Sequence, residues 1–227
     1  MTTASTELTV AVQDYLKAIY VLEAAGERVT TSALASRMGV SAPSATAMTK
    51  RLAELGLVER APYRGVELTQ KGRLGALEVL RHHRLLERYL VDRLGLGLDE
   101  VHAEAELLEH ALTEELEAKI DAELGFPTHD PHGDPIPDRD LRLEHVGART
   151  TLLDLEPGRT ATVSRVPDSD PQLLRYLDEL GLVPGSDVRV TFFAPFDGPV
   201  TVRTGLGEHA ISRELAAEIG ASAIAES

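Results

Sequence analysis

The feature that most narrows what this chain can become is a pair of short helical runs with almost nothing between them. TTSALASRMG, residues 30–39, opens on hydroxyl side chains (Thr30, Thr31 or Ser32) and closes on Gly39. A hydroxyl accepts from the otherwise unpaired amides of a first helical turn, and glycine enters the left-handed conformation that ends a helix. SAPSATAMTKRLAELG, residues 41–56, repeats the arrangement, with Ser41 as cap, Pro43 in the first turn and Gly56 as stop. Its apolar residues Ala45, Met48, Leu52 and Leu55 recur at the spacing of a buried helix face. Two such helices joined through Gly39 and Val40 make a helix-turn-helix. LVERAPYRGVELT then reads as two short strands around a turn at Tyr63, Arg64 and Gly65, which predicts a winged helix.

The second helix of that unit is expected to expose Ser41, Ser44, Thr46, Ala47 and Lys50, small and polar groups able to approach base edges and phosphates in a major groove. Arg60 and Arg64 belong to the wing, near the backbone. The competing reading is an ordinary solvated helix and turn. Before this unit, TVAVQDYLKAIYVLEA (9–24) places Val12, Tyr15, Leu16, Ile19 and Leu22 on one helical face with Asp14 beside it, and the helix ends near Gly26.

After the wing, residues 72–94 predict a long amphipathic helix carrying His82, His83 and Glu87, and residues 99–123 predict another. Leu108, Leu112, Leu116 and Ile120 form an apolar row on the latter, suited to packing against a second helix or a second subunit. FPTHDPHGDPIPD (126–138) is dense in Pro, Asp and His and reads as a structured loop with a linker running to about residue 150; its His129 and His132 could ligate a metal, but lone loop histidines are usually solvated and they read so here. From Leu153 short alternating segments (TATVSRV, SDVRVTFF, PVTVRT) surround one helical piece, PQLLRYLDELG, and predict a small β-barrel. The expected fold is mainly α with a β-barrel: a winged helix over 1–74, a helical domain with its Pro-rich linker over 75–150, and a barrel over 151–227.

The absence of cysteine excludes disulfides and thiolate metal sites, so any metal must be held by oxygen and nitrogen. No basic leader and no apolar run of ~18 residues occurs, which predicts a cytoplasmic protein without a membrane partner. The net charge of -14 argues against a nucleic-acid partner until its distribution is counted. Residues 1–75 hold nine Lys+Arg against seven Asp+Glu (9 - 7 = +2), so the remainder carries -16. A cation bound by the acidic part would offset some of that charge.

VHAEAELLEH (101–110) concentrates imidazole and carboxylate. In a continuous helix His102, Glu109 and His110 fall at roughly -40°, -60° and +40° from Glu106, all on one face. His83 and Glu87, one turn apart, supply a second face. Either alone is more often a wet or salt-bridged surface. Together, with Asp14 on a third helix, they offer the mixed nitrogen and oxygen donors that Mn(II), Fe(II) or Zn(II) accept. An enzyme is the weaker reading: there is no HExxH, GxSxG, P-loop or GxGxxG, and no second element matching E-L-L-E-H.

Taken in order, DYLKAIY, the helix-turn-helix with its YRGVELTQKG wing, HHRLLERYL, VHAEAELLEH, GDPIP and a tail opening on LEPG resemble the metal-dependent repressors related to the diphtheria toxin repressor and the manganese transport regulator. The resemblance covers about residues 9–225. It implies a homodimer bound to double-stranded operator DNA, a helical dimerisation domain and a C-terminal SH3-like domain of the kind found in ferrous-transport accessory proteins. It implies one metal centre at Asp14, Glu106, Glu109 and His110 and a second at His83, Glu87 and His102. Asp168 lies near where the iron-sensing branch offers further ligands, although Arg165 stands where that branch has a carboxylate. Ser41, Pro43 and Ser44 match base-contacting positions, and Ala47 replaces a longer polar residue.

Asp14 and Glu106 stand where the iron branch has sulfur ligands, and hard oxygen favours Mn(II) as co-repressor over Fe(II), other divalent transition metals binding in vitro. Lys17 departs from the manganese branch, which has a carboxylate there, so a binuclear arrangement would differ. The expected role is a metal-dependent repressor of metal uptake or homeostasis genes. The alternatives are an Fe(II)-dependent regulator, a metal-binding enzyme or a ferrous-transport accessory protein.

Overall fold

In a computed structural model, residues 8–61, 65–143, 150–168 and 170–223 are described. The chain divides into two compact units. The first comprises Met1–His83, Leu108–Thr113 and Pro137–Arg142, and the second Arg84–Leu107, Glu114–Ile136 and Leu143–Ser227.

The first unit opens with helix α1 (Val10–Ala24), which buries Val12, Tyr15, Leu16, Ile19 and Leu22, the five positions its period selects. Helix α2 (Thr31–Arg37) starts where the Thr30 hydroxyl accepts from the Ala33 amide at 3.0 Å. The chain turns at Gly39, whose φ of 62° suits a residue without Cβ, and enters α3 (Ala42–Glu54), capped by Ser41. Ala45 and Leu52 are buried and Met48 packs against the same core. Leu55 is 40% exposed, because α3 ends one residue before it and the chain leaves the helical path, while Thr49 takes the buried place by giving its hydroxyl to the Ala45 carbonyl at 2.8 Å. Strands β1 (Val58–Ala61) and β2 (Gly65–Leu68) pair antiparallel, Val58 opposite Leu68, as a two-stranded wing. The predicted turn residues Tyr63 and Arg64 lie outside the described residues.

Helix α4 (Gln70–Leu94) begins in this unit and continues into the second. It is less amphipathic than its sequence suggests: Arg81, His82, His83 and Glu87 are all buried in its middle. The predicted helix over 99–123 is broken. Helix α5 (Leu98–Leu108) gives way to a 3-10 turn (Glu109–Ala111), Leu112 is extended, and α6 (Glu114–Glu123) starts afresh. Glu114, Glu115 and Glu117 favour a new start there, since carboxylates are stabilised at a helix N-terminus.

In the second unit, β3 (Thr160–Arg165), β4 (Asp187–Phe193), β5 (Val200–Thr204), β6 (Gly207–Ile211) and β7 (Gly220–Ala223) form one sheet in the order β6-β5-β4-β3-β7. Helix α7 (Pro171–Glu179) follows β3 and α8 (Arg213–Glu218) precedes β7. Alternating Ala161, Val163, Val188, Val190, Val200 and Val202 point into an apolar core with Leu152, Leu177, Leu182 and Ile219. The sheet is a single antiparallel layer with β6 and β7 at its edges, so among the described residues no ladder closes the barrel expected from the sequence. Nor, among the described residues, is any helix long and apolar enough to cross a membrane.

Candidate metal centres and DNA-reading helix

In the first unit, α1 and the 3-10 turn bring Asp14, Glu109 and His110 together, each offering a ligand atom within 4.8 Å of the others. His110 Nε2 lies 2.8 Å from Asp14 Oδ1 and 3.4 Å from Glu109 Oε1. Its Nδ1 gives its proton to Gln13 Oε1 at 2.8 Å, which leaves Nε2 as the nitrogen for a cation. Consecutive histidines of α4 clamp the turn: His82 Nδ1 meets the Glu109 carbonyl at 3.1 Å, and His83 Nδ1 donates to Glu109 Oε2 at 2.5 Å. Lys17 Nζ reaches both Glu109 oxygens, at 2.7 and 2.9 Å. Burial pushes the Glu109 carboxyl up, but the His83 bond and Lys17 outweigh it and hold it below its usual range. Asp14 is shifted upward, chiefly by burial, against the pull of His110.

The second unit contains a cluster that the sequence did not reveal. Glu87, Asp130 and His132 are all buried and offer ligand atoms within 4.8 Å of one another. Each has one atom fixed by the protein. Glu87 Oε1 accepts from His102 Nδ1 at 3.1 Å, His132 Nε2 donates to the Leu98 carbonyl at 3.1 Å, and Asp130 Oδ1 accepts from the amides of His132 and Asp134, both at 2.9 Å. Asp130 Oδ2 and His132 Nδ1 have no hydrogen-bond partner among the described residues. Arg84 Nε stands 3.5 Å from that Asp130 oxygen and Glu87 Oε2 3.7 Å from that nitrogen, distances of ion pairs rather than hydrogen bonds.

His132 is therefore fully buried, not solvated, and only His129 is exposed. The loop is pinned by the His132 carbonyl, which accepts from the Val166 amide at 2.9 Å. At Gly133 a Cβ would lie 2.0 Å from the Ser164 carbonyl oxygen, so only glycine permits this approach. Burial, then Glu87 and Asp134, lift the Asp130 carboxyl to about 7. Burial pulls the His132 imidazole down, but Glu87 and Asp130 raise it to about 9. Arg165 donates to Asp134 Oδ1 at 2.8 Å and so neutralises a neighbouring carboxylate.

The remaining predicted ligands fall as follows. Glu106 is on α5 with a side chain 54% exposed, 3.9 Å from His102 Nε2. His83 is bonded to Glu109, and Glu87 to His102, within their own units. Asp168 is half-buried, two residues past Val166.

On α3, Ser41, Pro43, Ser44, Thr46, Ala47 and Lys50 are all exposed, on the side opposite the buried Ala45, Thr49 and Leu52. Ser41 Oγ and Ser44 Oγ are 2.9 Å apart and Thr46 donates to the Ala42 carbonyl at 2.8 Å, which fixes the small side chains of the first turns. Arg60 is on β1, its side chain outside the described residues, and Arg64 lies outside them altogether.

Three family models match in succession: the N-terminal DNA-binding domain of iron-dependent repressors over residues 7–66, their metal-binding and dimerisation domain over 69–138, and the FeoA domain over 150–222. The iron-dependent repressor IdeR of Mycobacterium leprae is 37% identical over 188 residues, covering 78% of this chain and 81% of that one. The chain belongs to this family of metal-dependent repressors. IdeR of Mycobacterium tuberculosis is 42% identical over 131 residues, a stretch spanning 58% of this chain and 57% of that relative. Among solved structures, a manganese-dependent transcriptional repressor in complex with manganese is 41% identical with a TM-score of 0.84, covering 94% of this chain and 100% of that one. The manganese regulator SloR is 32% identical with a TM-score of 0.77, covering 94% and 98%.

Proposed function

We propose that this protein is a cytoplasmic, homodimeric, metal-dependent repressor that binds operator DNA of metal-uptake or homeostasis genes, with Mn(II) favoured over Fe(II). The observation that carries it is the convergence of Asp14, Glu109 and His110 from α1 and the 3-10 turn, a hard oxygen and nitrogen set without sulfur. Asp14 precedes the helix-turn-helix in the chain and Glu109 follows it, so holding both fixes the 3-10 turn against α1, which shares one core with α2 and α3. Glu106, which the family resemblance assigns to the same centre, stands beside His102 in the second unit. A bound divalent cation supplies charge neutralisation and a fixed coordination geometry.

A second ion is held by Glu87, whose partners from the sequence reading are His83 and His102. The orphaned, buried Asp130 Oδ2 and His132 Nδ1 support Asp130 and His132 as ligands instead. In that arrangement His102 orients Glu87, and His83 serves Glu109. Asp168, half-buried and near enough to Arg165 to act on its charge, is a candidate for a further oxygen. The reading head is the 1–74 domain, the metal and dimerisation domain spans 75–150, and the FeoA-like, SH3-like domain spans 151–227.

On DNA, the exposed α3 face meets bases through Ser41, Pro43, Ser44, Thr46 and Ala47, with Lys50, Arg60 and Arg64 on phosphates. Metal that is held better in the DNA-competent arrangement shifts the population toward it. A gel-shift titration on the gene's own upstream region, with Mn(II), with Fe(II) under anaerobic conditions and with chelator, tests this. DNA affinity indifferent to metal would leave a plain winged-helix regulator, and no DNA affinity at all would leave a metal-binding protein of another kind.

A further inference from the structure

The carboxylate on which the first centre most depends is already held by a cation of the chain's own. Lys17 lies one turn after Asp14 on α1, and its Nζ sits 2.7 Å from Glu109 Oε1 and 2.9 Å from Oε2. The Lys17 side chain is 15% exposed and that of Glu109 1%. An exposed lysine pair contributes little, because water replaces it at small cost. This one is a two-oxygen, charge-assisted contact where water has little access.

The same carboxylate carries other donors. His83 Nδ1 is on Oε2, and His110 Nε2 is 3.4 Å from Oε1. A carboxylate offers about four lone-pair directions, and Lys17 draws on both oxygens. An ammonium and a divalent cation on one oxygen would be like charges a few ångströms apart in poorly screened surroundings. They compete for the same place.

We propose that Lys17 is an internal competitor for the metal: its ammonium neutralises Glu109 in the metal-free protein and yields at least one carboxylate oxygen when a divalent cation is held. Lys17 thereby sets the metal concentration at which the protein responds. This rests on the reading that Asp14, Glu109 and His110 hold an ion. It also changes what metal does here. α1 and the 3-10 turn are tied before any ion arrives, through Lys17 with Glu109 and through His110 with Asp14. Loading exchanges one tie for another rather than joining separate elements. The flexible lysine stem suits the exchange, since Nζ can withdraw toward solvent without moving the helix backbone.

The test compares full-length wild type with Lys17→Gln, Lys17→Met and Lys17→Arg, each stripped of metal and titrated calorimetrically with Mn(II), with thermal unfolding followed in parallel. Lys17→Gln and Lys17→Met are expected to unfold at a lower temperature without metal yet to bind Mn(II) on the order of tenfold more tightly, the worth of one charge-assisted bond. Lys17→Arg, which keeps the charge, stays near the wild-type affinity. A merely structural lysine would lower the unfolding temperature without tightening metal. Equal or weaker Mn(II) binding in whichever neutral variants fold overturns the proposal. Wild-type affinity in Asp14→Asn would overturn the centre itself, and the proposal with it.

Discussion

At Glu109 two donors of the chain, Lys17 and His83, already lie on the carboxylate oxygens, whereas Asp130 Oδ2 and His132 Nδ1 are buried with no hydrogen bond among the described residues. Both clusters draw on carboxylate and imidazole; the second is fully buried, while in the first only Glu109 is, Asp14 being 34% exposed. They differ in how the metal-free protein bears their charge. The first uses the His83 hydrogen bond and a lysine, which together outweigh burial and hold Glu109 ionised below its usual range. The second relies on protons, lifting His132 to about 9 and Asp130 to about 7. A donor set of one chemistry can thus be poised by a competing side chain or by protonation, and the two respond differently to metal and to pH.

The comparison breaks first on the ligands. Asp14→Asn and Glu109→Gln should lower Mn(II) affinity by more than the roughly 10–100-fold that outer-shell changes cost, and should abolish metal-dependent gel shift. Retention of both would remove the first centre. Next in size is Gln13→Leu. It leaves the ligands but frees His110 to rotate, and should weaken Mn(II) binding on the order of 10–100-fold with little loss of fold. An unchanged affinity would mean that Nε2 is not the ligating nitrogen.

Asp130→Asn combined with His132→Gln should lower the number of Mn(II) ions bound per subunit by one, read by metal analysis after dialysis, with the tighter phase of the titration intact. A stoichiometry equal to wild type would make that cluster a structural ion-pair network only.

The smallest effect concerns pH. His132 and Asp130 both titrate above their unfolded values, so their protons favour the metal-free fold. Asp130's contribution is complete below its unfolded value of 3.8 and is lost through about 7; that of His132 is complete below 6.5 and is lost through about 9. The unfolding temperature of metal-free protein should fall on the order of a few degrees between pH 6.5 and 9, and the double variant should lose that slope. A slope of the opposite sign would contradict the protonation assigned to the cluster.

Much of this was readable in the chain. The face of α1 (Val12, Tyr15, Leu16, Ile19, Leu22), the caps at Thr30 and Ser41, and the alternation of β3, β4 and β5 follow from local rules, because period, hydroxyl and β-branching act within a few residues. The pairing of Asp14 with His110 was expected on a continuous helix and is found on a 3-10 turn. The break at 109–113 had a signal, Thr113 followed by Glu114 and Glu115, but the apolar row through Leu112 and Leu116 obscured it.

His132 had no such signal. Pro, Asp and Gly around it are what an exposed loop is made of, and its burial is bought by Arg84 on Asp130, by Arg165 on Asp134 and by the Val166 amide, partners about 30 to 50 positions away in the chain. Sequence by itself determined most of the helices and strands and the faces they bury, the break at 109–113 and the exposure of Leu55 excepted, and that any ion here meets oxygen and nitrogen. Only the tertiary structure decided which carboxylates are already neutralised and which are left waiting, because charge balance in a buried cluster depends on long-range neighbours that no local pattern encodes.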